Sequence, residues 1–131
     1  MATGNARQTH LQVTHNIRAA IAYGDAALTA GKRVGTIPKG CRIVSAHLIV
    51  ETAFNAGTTN PISAGVTALG TDFFNASAGQ TPAFNTTTMT NTISALASAA
   101  DQDIYVSYVP TGTAATAGSA VLIVNYVPDN S

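Results

Sequence analysis

Short apolar segments with a two-residue repeat, each cut off by Gly, Pro, Asn or Thr, constrain this chain more than any other feature. From Cys41 to Phe54, the residues Val44, Ala46, Leu48, Val50 and Phe54 share one parity, while Ser45, His47, Glu51 and Ala53 occupy the other. Successive side chains point to opposite faces of a strand, so this spacing predicts a long strand with one buried face. Leu11, Val13, His15 and Ile17 alternate in the same way with Gln12, Thr14, Asn16 and Arg18 and predict an N-terminal strand. Ile104, Val106 and Tyr108 do so against Tyr105, Ser107 and Val109. The last run, residues 120–127, is apolar on both parities except at Asn125. A strand of that kind is either central in a sandwich or covered by another subunit.

Weaker segments fill the intervals. Lys32 to Ile37 reads as a short strand ended by Pro38 and Gly40, and Ile62 to Leu69 as another after the breaker-rich loop from Asn55 to Pro61. Met89 and Ile93 alternate with Thr88, Thr90 and Thr92, which predicts a strand to Leu96. Phe73, Phe74 and Phe84 flank a loop containing Gly79 and are expected to reach into the core from it. Residues 19–30 are expected to form one or two helical turns, which Gly24 and Gly31 keep from extending further. The pattern predicts an all-β fold, an antiparallel jelly-roll-like β-sandwich of about eight strands. An immunoglobulin-type sandwich leads one to expect a core Trp and paired Cys; this chain has no Trp and only Cys41. Its 131 residues make a single domain, 1–131, with residues 1–18 as a candidate partner-contacting segment.

Charge is scarce and lopsided. Only 9% of residues are charged, against about 25% in an ordinary soluble domain. Arg7, Arg18, Lys32, Arg33, Lys39 and Arg42 are all the cations, and Asp25 is the one acid among them, so residues 1–50 carry +5. Glu51, Asp72, Asp101, Asp103 and Asp129 give residues 51–131 a charge of −5. Such asymmetry bears on partners and orientation rather than on fold. Small neutral polar side chains in place of Lys and Glu cost little to desolvate at a subunit contact. The six cations are therefore the candidate partner-contacting residues. They lack interleaved aromatics and basic-arm density, which argues against nucleic acid.

Residue chemistry for catalysis is missing. His10 and His15 are five apart, on opposite faces of a strand, and His47 and Glu51 are about 13 Å apart along one strand, too far to share a metal. Asp101 and Asp103 resemble part of a calcium loop without its remaining ligands or glycine. No GxSxG element and no phosphate-cradling glycine loop is present. The expectation is no enzyme, no cofactor and no metal. With no apolar run near the ~20 residues a bilayer demands and no signal-peptide pattern, no membrane is expected and synthesis in a cytoplasm is.

Two blocks resemble a known group. One is Val34-Gly35-Thr36-Ile37-Pro38-Lys39-Gly40 followed by Thr52-Ala53-Phe54-Asn55-Ala56-Gly57-Thr58-Thr59-Asn60. The other is Asp103-Ile104-Tyr105-Val106 with Pro110-Thr111-Gly112-Thr113-Ala114-Ala115-Thr116-Ala117-Gly118 and the closing Val124-Asn125-Tyr126-Val127-Pro128-Asp129-Asn130. In order and pattern they resemble the capsid decoration, or cement, proteins of tailed bacteriophages, over most of residues 31–130. The resemblance implies a jelly-roll-like structural protein of the virion that self-associates as a dimer or trimer. It implies a place on the outer surface of an icosahedral head, bridging neighbouring major capsid protein subunits. The alternatives are another virion component (a head fibre base, tail or receptor-binding module) or a jelly-roll that binds a small molecule or sugar.

Overall fold

The computed structural model describes residues 14–73 and 100–128, together with the backbone of Ala83–Thr86. Its elements are β1 (His15–Ala22), β2 (Lys32–Ile37), β3 (Cys41–Thr52), β4 (Ile62–Gly65), β5 (Ala83–Thr86), β6 (Gln102–Tyr108) and β7 (Ser119–Pro128). They form two antiparallel sheets, ordered β1-β7-β3-β5 and β2-β6-β4. Six of these strands, three to a sheet, carry the sandwich, and the four-residue β5 extends the first sheet at its edge. Each successive strand belongs to the other sheet. Seven strands are thus seen among the described residues, where the sequence predicts about eight. β5 is a strand the sequence reading does not place, since Phe84 is expected beside a loop, and the strand expected from Met89 to Leu96 lies outside the described residues.

β7 is the hinge of the packing. It pairs with β1 from His15↔Tyr126 to Ala22↔Ser119 and with β3 from Cys41↔Pro128 to Thr52↔Ser119. This central position explains why residues 120–127 are apolar on both parities. Ala120, Leu122 and Val124 face the core with at most 1% exposure, and Val121, on the opposite parity, is also buried. Against them stand Ala46, Leu48 and Val50 of β3, and from the second sheet Ile37, Ile62, Ile104, Val106 and Tyr108. Burial of each large aliphatic chain contributes about 1.5–3 kcal/mol.

Three sequence expectations change in the structure. Val44 does not share the core face with Ala46 and Leu48; it is 56% exposed, while its neighbour Ile43 is buried. The register with β7 runs Ile43↔Tyr126 and then Ser45↔Asn125, so Val44 is the extra residue of a β-bulge and the parity flips there. Residues 19–30 form no helix. β1 continues through Ala22, and the remainder is a chain of tight turns closed by Asp25 N–H to Ala22 O, Leu28 N–H to Asp25 O and Gly31 N–H to Leu28 O. Ala19 and Ala20, good helix formers, are drawn into the sheet by pairing with Leu122 and Val121. The strand at Ile62 stops at Gly65 rather than at Leu69, because residues 66–70 turn back: Gly70 N–H reaches Thr67 O, and Leu69 takes φ 61°.

The N-terminal strand is described from His15 on, and Leu11 to Val13 lie outside the described residues. Its parity is as read: Ile17 and Ile21 turn inward, Asn16, Arg18 and Ala20 outward. Phe73 is buried in the core as expected, whereas Phe74 and the side chain of Phe84 lie outside the description.

Candidate partner-binding site

The six cations do not gather in one place. Arg7 lies outside the described residues. Arg18 is exposed in the middle of β1, opposite Ile123, on the outer face of the first sheet. Arg42, also outward on β3, sits opposite Val127. Lys32 and Arg33 belong to β2, in the other sheet, and Lys39 to the turn that follows it.

Folding also brings the oppositely charged halves of the chain together. β2 runs antiparallel to β6, with Arg33↔Tyr105 and Thr36↔Asp103, so the basic stretch lies beside the acids of residues 101–103. Arg33 Nη1 is 3.4 Å from Asp103 Oδ1, which also accepts from Thr36 Oγ1 at 2.8 Å. Asp101 Oδ1 accepts from the Lys39 backbone N–H at 2.9 Å, and Lys32 Nζ lies 3.6 Å from Asp25. These pairs are solvent-exposed and each is worth under about 1 kcal/mol. Arg33–Asp103 joins the two halves, whereas Lys32–Asp25 lies within the first and Lys39 offers Asp101 its backbone, so part of the lopsidedness visible in the sequence is neutralised within the subunit. Arg18 and Arg42 lie on the outer face of the first sheet, which also carries Ile49, Val121 and Ile123.

A second feature, which sequence reasoning missed, is a knitted pair of loops at one end of the sandwich. The loop after β3 and the loop between β6 and β7 pair through Thr59↔Thr111. Gly57 N–H donates to Thr113 O at 2.9 Å and Thr58 N–H to Thr111 O at 3.0 Å. Asn55 Oδ1 accepts from the N–H groups of Thr116 and Ala117, while its Nδ2 donates to Thr116 Oγ1. Beneath them Asn60 is buried, and its Oδ1 accepts from both the Ala56 N–H and the Tyr108 hydroxyl at 2.7 Å. The Tyr108 ring packs on Phe54 with centroids 4.6 Å apart. Thr52 to Asn60 and Pro110 to Gly118, parts of the two blocks that carry the resemblance, form these loops and are placed side by side. Their Asn and Gly content read only as breakers, because pairing between residues over 50 positions apart leaves no local signal.

Beside this loop pair opens a cavity of about 270 Å³ lined by Tyr23, Gly24, Asp25, Leu28, Thr29, Tyr108, Pro110, Ala114 and Ala115. Its walls are mainly apolar. Burial pushes the Tyr108 hydroxyl above the usual tyrosine range, opposed by a backbone hydrogen bond from Ala56. Burial likewise raises Cys41, the free thiol at the start of β3. His15 stacks on Tyr126 at 5.7 Å on the inner side of the first sheet, whereas His47 points outward from it, so the two cannot share a ligand. Among the described residues no group of three or more His, Cys, Asp or Glu could hold a metal ion.

Against solved structures the match runs the length of the chain. A chain in the capsid of Ralstonia phage GP4 superposes with a TM-score of 0.67 at 18% identity, covering 100% of this chain and 93% of that one. The fold is one that phage capsids contain. A chain of the cyanophage Pam1 capsid asymmetric unit gives 0.68 at 16% identity, covering 98% and 94%. The acid-stable capsid of Helicobacter pylori bacteriophage KHP30 supplies a third, at 0.58 and 13%, covering 90% of each chain. No protein-family model matches this chain, and no curated protein sequence does. At such identities the likeness establishes the architecture: a small two-sheet sandwich, matched from one end to the other.

Proposed function

We propose that this chain is a structural protein of a phage virion that binds the outside of an icosahedral head and cements neighbouring major capsid protein subunits. The observation that carries the reading is the mutual coverage: the sandwich accounts for 93% and 94% of the matched chains in two phage capsids, not for a module inside a larger protein. The strand order supports the jelly-roll form of the sandwich, since each described strand is followed by one in the other sheet. The composition supports a subunit of an assembly, because neutral Thr, Asn and Ala desolvate cheaply at contacts. The chain works as a clamp, neither an enzyme nor a nucleic-acid or membrane binder.

A clamp gains its effect by spanning subunits. Contacts of ~800 Å² per partner suffice for specific recognition, and linking several in a dimer or trimer raises avidity by orders of magnitude without any new contact. Of the cations first singled out, Arg18 and Arg42 on the outer face of the first sheet, and Arg7 in the N-terminal segment, are the ones assigned to the shell. Lys32 and Arg33 serve the subunit itself through Asp25 and Asp103, and Lys39 lies in the turn after β2, where its backbone N–H donates to Asp101.

The separable part of the N-terminal segment is shorter than residues 1–18, since His15 to Arg18 are the first half of β1 and pair with Tyr126 to Ile123. Deletion of residues 1–13 is expected to leave a cooperatively folding protein with reduced co-sedimentation on phage heads that lack it. Full-length protein that never co-sediments with such heads would refute the cementing role; full retention by the deletion would refute the docking segment alone.

A further inference from the structure

The loop end of the sandwich combines an apolar cavity with an unusual want of charge. No Asp, Glu, Lys or Arg occurs between Glu51 and Asp72 or between Asp103 and Asp129, so both knitted loops are uncharged. The ions near the cavity are Asp25 and Lys32, which pair with each other. Asp25 Oδ2 also accepts from the Ala22 N–H at 3.1 Å. Large apolar side chains are nevertheless exposed here: Tyr23 at 45% and Val109 at 44%. Tyr23 is one of the residues lining the cavity, and Val109 lies between its lining residues Tyr108 and Pro110. Leu28, 1% exposed, is among the lining residues.

We infer that this cavity receives Tyr23 of a second copy of the chain. A cavity of about 150 Å³ already accepts a benzene ring, so 270 Å³ has room for a phenol. An exposed ring beside a cavity that fits it makes a surface complementary to itself, the requirement for a contact in which each copy contributes the same patch. Charge selects the same occupant. Two copies of this end bring no unpaired ion into the contact, whereas a partner carrying Lys or Glu would have to bury it without an opposite charge to meet. Tyrosine is also a favoured anchor, an apolar body whose hydroxyl finds a partner at the rim. The inference stands independently of binding to the shell.

The test uses the full chain, with Tyr23→Ala and Ala114→Trp, the latter filling the cavity mouth from an exposed position. Sedimentation equilibrium is expected to show an oligomer whose dissociation constant rises at least about tenfold in either variant, with melting of the isolated subunit unchanged. A second arm mixes Tyr23→Cys with Ala114→Cys, both in a Cys41→Ser background, and oxidises. A disulfide between the two different variants supports the contact, and its absence alongside intact self-association overturns it. p-Cresol is the third probe: competition with self-association supports the cavity as the seat of a tyrosine, and binding to a chain that stays monomeric at every concentration overturns the inference in favour of a free aromatic ligand. Head co-sedimentation measured on the same variants separates this inference from the cementing role. Self-association through Tyr23 without head binding contradicts only the latter, and head binding by a chain indifferent to Tyr23→Ala contradicts only the former.

Discussion

Gly118 carries φ 149°, and a Cβ built on it would sit 2.4 Å from the Phe54 ring. Both the backbone and the space exclude any larger residue, and the displaced ring is the one that packs on Tyr108 above Asn60. Gly118→Ala is expected to cost about 2–4 kcal/mol, read as a lowered urea midpoint with unchanged slope. Tyr108 and Cys41 set the pH dependence. Burial raises both, so the folded state holds their protons more tightly than the unfolded chain does. Their contribution is complete below the ordinary values of 9.0 and 10.0 and is lost as pH climbs past them. Unfolding free energy should therefore be flat from neutral pH to about 9 and then fall. A Tyr108→Phe, Cys41→Ser variant should fall less, at the expense of a lower plateau, because Asn60 Oδ1 loses a donor. Little of this was legible beforehand. Asn60 and Gly118 looked like loop residues, and only long-range pairing of the loops gives them their roles.

At the scale of elements the two-residue repeat carried most of the information. It located β3, β6 and the first half of β1, because each buries one face, while β2 was marked by its bounding Pro38 and Gly40 and β7 by being apolar on both parities. It failed where a strand breaks its own parity. Val44 reads as a core residue on spacing, yet the bulge between Ile43 and Ser45 turns it to solvent. Val44→Lys is accordingly expected to change stability by less than about 0.5 kcal/mol. Leu48→Ala, four positions on and fully buried, should cost about 2–5 kcal/mol. Equal losses from the two would contradict the bulge. The alanine-rich stretch from Ala19 to Ala30 misled for the opposite reason: its composition suits a helix, but its first residues complete the edge of a sheet whose centre is already apolar.

For the whole molecule, the charge split along the sequence invited a picture of two opposite ends, and the topology undoes part of it. Pairing β2 with β6 sets Arg33 beside Asp103 and Lys39 beside Asp101, leaving an uncharged loop end and a first-sheet face that bears Arg18 and Arg42. The sandwich class was readable from spacing and breakers; the partner surfaces were not, because they depend on which strands become neighbours. The proposed role now rests on how the intact particle uses those surfaces. Cryo-electron microscopy of phage heads, first without this protein and then saturated with it, tests that role most directly. The account expects hundreds of added copies on the exterior, each bridging adjacent shell subunits and presenting Arg18 and Arg42 to them. Heads whose density is unchanged by the protein, or copies confined to the tail vertex, would contradict it.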